Sequence, residues 1–291
     1  MAIKLFADTA NLEEIAYCFS QGVDDGITTN PKIMETTGDL SLGFEGACKT
    51  ILEKYPDVPV SLETDLRGID VRTFDGVVEP EKVRDVLLQQ AETLSSWGKN
   101  VIIKIPICQG GLLAAEDLAK RGIKTNITAC MTPYQALEAS KHGIGYVSLF
   151  ANRMLDSYLL ELAGHSLTGI QRNPDWKKLV AESRKTNLEV AWRKTLEDIA
   201  KVAQLLDNNP NSELIVGSIR EPSDIYRIVQ AEPQIITIPT KIVKGLDNIL
   251  NLKQTKRSFK SNEVILGESV SHPMTQYTLE EFEKAADSYR K

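Results

Sequence analysis

The chain is poor in the residues that build metal centres and disulfide frameworks. Its 291 residues include four cysteines and three histidines. Cys18, Cys48, Cys108 and Cys130 are scattered, and no pair has CxxC spacing. A disulfide scaffold or thiolate metal site is not expected; the four read as reduced core or strand residues of a cytoplasmic protein. His142, His165 and His272 are equally dispersed, and none ends an apolar strand. That speaks against a histidine metal site and against a Ser-His-Asp triad. No apolar run approaches the length of a membrane span. The N-terminus enters Ile3-Lys4-Leu5-Phe6-Ala7-Asp8 directly, without a signal-peptide pattern. Positive charge is also short: the net charge is −6 and no basic block stands out, which argues against nucleic acid as a partner.

What is present is the composition of a soluble globular protein, 42% hydrophobic and 25% charged. The length allows one large α/β domain or two ordinary ones, but no repeat, low-complexity tract or linker divides the chain. Eight strand-like runs recur, at Ile3–Asp8, Asp24–Asn30, Val58–Asp65, Asn100–Pro106, Ile123–Thr128, Gly145–Phe150, Glu213–Ser218 and Gln234–Pro239. Helical patterns separate them, at Leu12–Gln21, Leu42–Tyr55, Glu81–Ser96, Gly111–Arg121, Pro133–His142, Trp176–Leu206 and Ser223–Val229. Lys241–Leu252 and a C-terminal helix at Leu279–Tyr289 follow. Alternation of this kind implies right-handed βαβ units and a parallel sheet. Eight units in this length predict a single-domain (β/α)₈ TIM barrel with an extra C-terminal helix; the alternative is a doubly wound open sheet. Two connections are long, 66–80 and 156–190, and read as insertions serving as lids or subunit contacts.

One residue stands out. Val101-Ile102-Ile103-Lys104-Ile105-Pro106-Ile107 is a buried parallel strand by composition, yet it carries a lysine. Such a lysine must snorkel, pair or lose its charge. A neutral amine there is a nucleophile toward carbonyl carbon; a structural ion pair is the plainer reading. Barrel active sites form at the C-terminal ends of the strands. The polar residues at those ends include Asp8, Asn30, Glu63, Lys104, Asn126, Thr128, Ser148, Ser218 and Arg220, with Arg153 just after the sixth strand. Singly each has an ordinary role: Asp8 and Asn30 as helix caps, Ser148 as a hydroxyl bonded to backbone. Together they make a nucleophile, acid/base groups and an anion clamp. That set suits Schiff-base chemistry on a ketone, with a carboxylate to move protons and arginines for a phosphate.

These residues sit in motifs that resemble the transaldolase family, in its small transaldolase and fructose 6-phosphate aldolase branch. The motifs run in order through most of the chain. They include Phe6-Ala7-Asp8-Thr9-Ala10, Gly26-Ile27-Thr28-Thr29-Asn30-Pro31, Ser61-Leu62-Glu63 and Ile103-Lys104-Ile105-Pro106. Gly122-Ile123-Lys124-Thr125-Asn126-Ile127-Thr128, Tyr146-Val147-Ser148-Leu149-Phe150-Ala151-Asn152-Arg153 and Val216-Gly217-Ser218-Ile219-Arg220 continue the series. The resemblance implies that Lys104 forms the Schiff base and that Asp8 shuttles the substrate hydroxyl proton. It implies that Glu63 and Thr128 hold the catalytic water, and that Asn30, Asn126 and Ser148 contact the bound three-carbon unit. It further implies a phosphate site at Arg153, Ser218 and Arg220. No cofactor or metal is implied; the partners are phosphorylated sugars, and a homo-oligomer is expected. Members with an amide at the Glu63 position and a tyrosine at the Phe150 position are free aldolases, so both residues here point to transfer. A free aldolase, a specialised enzyme for an unusual sugar, and a barrel that only binds are the alternatives.

Overall fold

The computed structural model describes residues 2–66, 79–170, 173–209, 211–247, 249–253 and 271–289. Eight parallel strands close into a barrel: β1 Lys4–Asp8, β2 Gly26–Thr28, β3 Val60–Glu63, β4 Val101–Pro106, β5 Thr125–Cys130, β6 Gly145–Phe150, β7 Ser212–Gly217 and β8 Ile235–Ile238. Each pairs with its sequence neighbour, and β1 pairs with β8. The expected (β/α)₈ fold is therefore the observed one, and the open sheet is excluded.

Side chains alternate along a strand, so every second residue enters the barrel. Phe6, Ile215 and Ile235 form a small apolar cluster apart from the main core, with Tyr146 packed on it. The rings of Phe6 and Tyr146 meet edge to face at 5.7 Å. This cluster plugs the interior. A Cβ on Gly26 would lie 2.6 Å from the Phe6 ring, so glycine is required beside the plug. Two residues further along the same strands stand Asp8, Gly217, Thr237 and Ser148, which line a cavity above it. The period of two thus turns an apolar floor into a polar mouth at the C-terminal ends.

The helices are α1 Leu12–Ser20, α2 Pro31–Thr37, α3 Gly43–Lys54, α4 Pro80–Ser95, α5 Gln109–Lys120, α6 Pro133–His142, α7 Ala151–Leu162, α8 Trp176–Asp207, α9 Pro222–Ile228, α10 Thr240–Val243, α11 Ile249–Lys253 and α12 Pro273–Tyr289. The main core lies between their inner faces and the outer faces of the strands. All four cysteines are free and buried, and burial pushes the Cys108 thiol up to about 12. No described helix is long and apolar enough to cross a membrane.

Four expectations need correction. Helix α2 is absent from the expected elements, although Asn30-Pro31 supplies its cap and first residue. The segment 156–190 is not a lid outside the core. Most of α7 and the first half of α8 occupy it, and Asp156, Leu159 and Leu160 are buried. The helix expected at Lys241–Leu252 is two short pieces, α10 and α11. The C-terminal helix begins at Pro273, six residues earlier than expected, because a proline at its first position favours a start there. The expected insertion at 66–80 lies almost wholly outside the described residues.

Candidate active site

Strand β4 sets Lys104 between Glu63 of β3 and Asn126 of β5, in register with both. The lysine side chain is 5% exposed. Its Nζ donates to the Thr29 carbonyl oxygen at 2.9 Å and lies 2.9 Å from Glu63 Oε2. The Phe282 ring covers it, with its centre 5.9 Å from Nζ. Of the three outcomes open to a lysine in such a strand, pairing is the one realised. A buried pair of this kind is costly to desolvate and adds little to stability, so its presence asks for a reason other than stability.

Asp8 ends β1 and faces the same cavity. Thr28 Oγ1 donates to its Oδ1 at 2.7 Å, and the hydroxyls of Thr28 and Thr237 touch. Burial raises the Asp8 carboxyl above the usual carboxylate range, while the Thr28 bond and the Lys104 charge oppose the rise. Asp8 caps nothing: Asn11 is the N-cap of α1. Asn30 does cap α2, accepting from the Ile33 N–H at 2.8 Å, which leaves its amide N–H groups to serve the cavity.

On β5, Asn126 and Thr128 point inward and are fully buried. Asn126 Nδ2 donates to Ser61 Oγ at 3.2 Å, and Ser148 Oγ donates to Asn126 Oδ1 at 2.7 Å. Ser148 therefore bonds a side chain rather than backbone. Thr128 Oγ1 has no hydrogen-bond partner among the described residues. A buried hydroxyl in that condition calls for a partner from outside the chain. After Thr128 the register against β6 shifts, and Ala129 adopts a φ of 62°.

The cavity above Lys104 measures about 230 Å³. Phe150, Arg153 and Ser218 form its far wall, and Thr278, Glu281 and Phe282 of α12 close it. Ser218 sits at a φ of 63°, a conformation that costs a serine energy and is held by the surrounding bonds. Asn152 Nδ2 donates to the Ser218 carbonyl at 2.8 Å and to Asp224 Oδ2 at 2.7 Å. The same Asp224 oxygen accepts the Arg220 N–H at 2.9 Å. Arg220 does not line this cavity. It grips the buried Asp156 of α7 with both Nη atoms and lines a second cavity, which Arg153 shares. The expected phosphate site is thus divided, with Arg153 at the boundary.

The residues that sequence reasoning missed are mostly on helices. Glu281 accepts from Arg153, and the Tyr277 hydroxyl donates to the other Glu281 oxygen at 2.8 Å. The Arg153 guanidinium stacks over the Tyr277 ring, 4.8 Å from its centre. Asp156 and Asn152 hold Arg220 and Ser218 in place. Their spacing from Arg153 on one helix was the available signal. Among the described residues no cluster of His, Cys, Asp or Glu has the makings of a metal site.

Residues 5–291 match the family model described as Transaldolase/Fructose-6-phosphate aldolase. A probable transaldolase of Maridesulfovibrio salexigens is 31% identical over 246 residues, covering 84% of this chain and 90% of that one. A probable transaldolase of Sulfurihydrogenibium sp. is 32% identical over 248 residues, covering 84% and 88%. One of Aquifex aeolicus is 31% identical over 247 residues, with the same coverage. A solved structure titled "Native KDPGal structure" aligns at 13% identity and a TM-score of 0.42, over 99% of this chain and 97% of that chain, too distant to carry an argument.

Proposed function

The chain belongs to the transaldolase/fructose-6-phosphate aldolase family, and from that premise we propose that it transfers a dihydroxyacetone unit from a ketose phosphate to an aldose phosphate through a Schiff base on Lys104. The observation that carries this reading is the buried lysine held between Glu63 and the Thr29 carbonyl, in one cavity with Asp8.

The steps follow from the placement of these groups. Glu63 takes a proton from the Lys104 ammonium, and the free amine attacks the ketone carbon to give a carbinolamine. Loss of water leaves a protonated imine. Glu63 and the Thr128 hydroxyl are the groups that would hold the water lost here and used again in hydrolysis. Asp8 accepts the proton of the C4 hydroxyl. The C3–C4 bond then breaks, its electron pair moves into the imine as an enamine, and the aldose phosphate leaves. A carboxyl raised by burial suits this role, because it is a stronger base once ionised and its proton affinity lies nearer that of the hydroxyl it exchanges with. The enamine attacks the acceptor aldehyde, Asp8 gives back its proton, and water releases the new ketose phosphate. Asn30, Asn126 and Ser148 are the donors and acceptors for the three-carbon unit.

Transfer is favoured over release by Glu63 and Phe150. A phenyl group has no hydroxyl to protonate the enamine, and α12 covers the cavity with Phe282, whose ring lies 6.4 Å from that of Phe150. With fructose 6-phosphate alone, little free dihydroxyacetone should form. Adding erythrose 4-phosphate should yield sedoheptulose 7-phosphate and glyceraldehyde 3-phosphate much faster. The double change Glu63→Gln with Phe150→Tyr should shift the balance toward release. Equal release with and without acceptor in the unmodified protein would make it a free aldolase.

A further inference from the structure

The second cavity measures about 410 Å³ and has a one-sided charge. Lys177, Val180, Ala181 and Arg184 form one of its walls. Their spacing of three and four residues puts them on a single face of α8. Val180 and Ala181 lie in the middle of this row, and a cation stands at each end. Arg153 and Arg220 supply the opposite wall, and Asp156 is the one carboxylate among the lining residues.

The pairing of these charges differs between the two cavities. In the inner cavity each cation already has a carboxylate: Lys104 with Glu63, Arg153 with Glu281, and Lys32 with Glu35. In the outer one, Arg220 answers Asp156 and Arg153 keeps Glu281, while Arg184 has only a loose ion pair with the exposed Glu221 at 3.8 Å, too far for a hydrogen bond. The Lys177 ammonium lies 5.7 Å from the centre of the Trp176 ring. The carboxylate bound to Arg220 takes Nη1 and Nη2, leaving that guanidinium further N–H donors. A concave wall with surplus positive charge concentrates anions, and guanidinium groups fit the oxygens of a phosphate.

We propose that the anionic end of the sugar passes Arg153 into this outer cavity, and that Arg184 and Lys177 bind it alongside Arg153 and Arg220. The ligand class is a phosphate monoester. The proposal rests on the reading of the donor as a ketose phosphate, but phosphate binding can be measured without turnover. Inorganic phosphate serves as the probe, titrated calorimetrically into the unmodified protein, Arg184→Gln, Arg184→Lys and Lys177→Gln. Arg121→Gln, an exposed arginine outside both cavities, controls for net charge.

Arg184→Gln should weaken phosphate binding and raise KM for fructose 6-phosphate by roughly tenfold to a hundredfold, the worth of a charge-assisted contact. Lysine at 184 should restore part of this, and Lys177→Gln should give a smaller loss. Turnover at saturating donor, KM for unphosphorylated fructose and the borohydride adduct should not change. Arg184 is partly exposed and leaves no buried charge behind, so the variants should fold. If Arg184→Gln binds phosphate as the unmodified protein does, the outer site is wrong even where the adduct forms. If no adduct forms in the unmodified protein while phosphate binding still depends on Arg184, the outer site stands and the proposed reaction fails.

Discussion

Arg220→Ala should do two things at once, and the structure allows them to be separated. Asp156 is 1% exposed and its two oxygens accept from Arg220 Nη1 and Nη2. Removing the arginine strands a buried carboxylate. Breaking a fully buried pair costs about 3–5 kcal/mol, whereas an exposed pair is worth under about 1 kcal/mol. The Arg220 side chain is 41% exposed, so water already reaches one half of this pair. A cost of roughly 2–3 kcal/mol follows. For a chain this long each kcal/mol moves Tm by about 2 °C, so Tm should fall by roughly 4–6 °C. Asp156→Asn alone should cost under about 1 kcal/mol, because Arg220 can turn to solvent. Adding Asp156→Asn to Arg220→Ala should therefore recover most of the lost stability. Loss of the Arg220 guanidinium should also raise KM for a phosphorylated donor, and the second substitution should not recover that. The assay is thermal unfolding of the four proteins by circular dichroism, with KM for fructose 6-phosphate and for fructose. An unchanged Tm in Arg220→Ala, or a double variant no more stable than the single one, would mean that Asp156 does not depend on Arg220 for its burial.

Three further outcomes are expected. Asp8→Asn should abolish turnover yet stabilise the fold at neutral pH: its folded-state carboxyl is raised, so the native form binds the proton more tightly and stability falls as pH climbs through that range. The advantage of the asparagine should vanish in acid, and denaturant titrations across pH would show it. His272, just before α12, is lowered to about 4 by burial, and its Nδ1 accepts the Met274 N–H at 3.2 Å. Stability should fall as pH drops from 6.5 toward 4, by less than about 3 kcal/mol since the ring is partly exposed, and His272→Gln should flatten that part of the profile. Glu281→Gln should free Arg153 from its carboxylate partner and lower KM for phosphorylated donors, by roughly threefold to tenfold, with no change for fructose.

Much of the barrel was legible because a parallel strand buried on both faces is written as a short aliphatic run. The eight runs and their order survive in the structure. The period of two also carried the site, since Asp8, Lys104, Asn126 and Ser148 each occupy an inward position on a strand whose identity was plain. Helix α7 was not legible. It begins at the residue after β6 with no capping side chain and no turn residues between, so nothing punctuates the change of period. Its apolar residues Met154, Leu155 and Leu159 do follow helical spacing, which was the signal available. The C-terminal helix posed a different difficulty. Nothing local to Glu281 or Phe282 shows that they return over a lysine far earlier in the chain; that is a property of closure. The same holds for Arg220, whose partner Asp156 looked like part of a surface insertion.

On the proposed reaction, Lys104 bonds covalently to the substrate carbon. The direct test is to incubate the protein with fructose 6-phosphate, reduce with borohydride, digest, and map the modified residue by mass spectrometry. A reduced three-carbon unit is expected on Lys104, and its loss in Lys104→Met, whose stem keeps much of the lysine's volume. An adduct on another lysine, or turnover with no adduct at all, would contradict it.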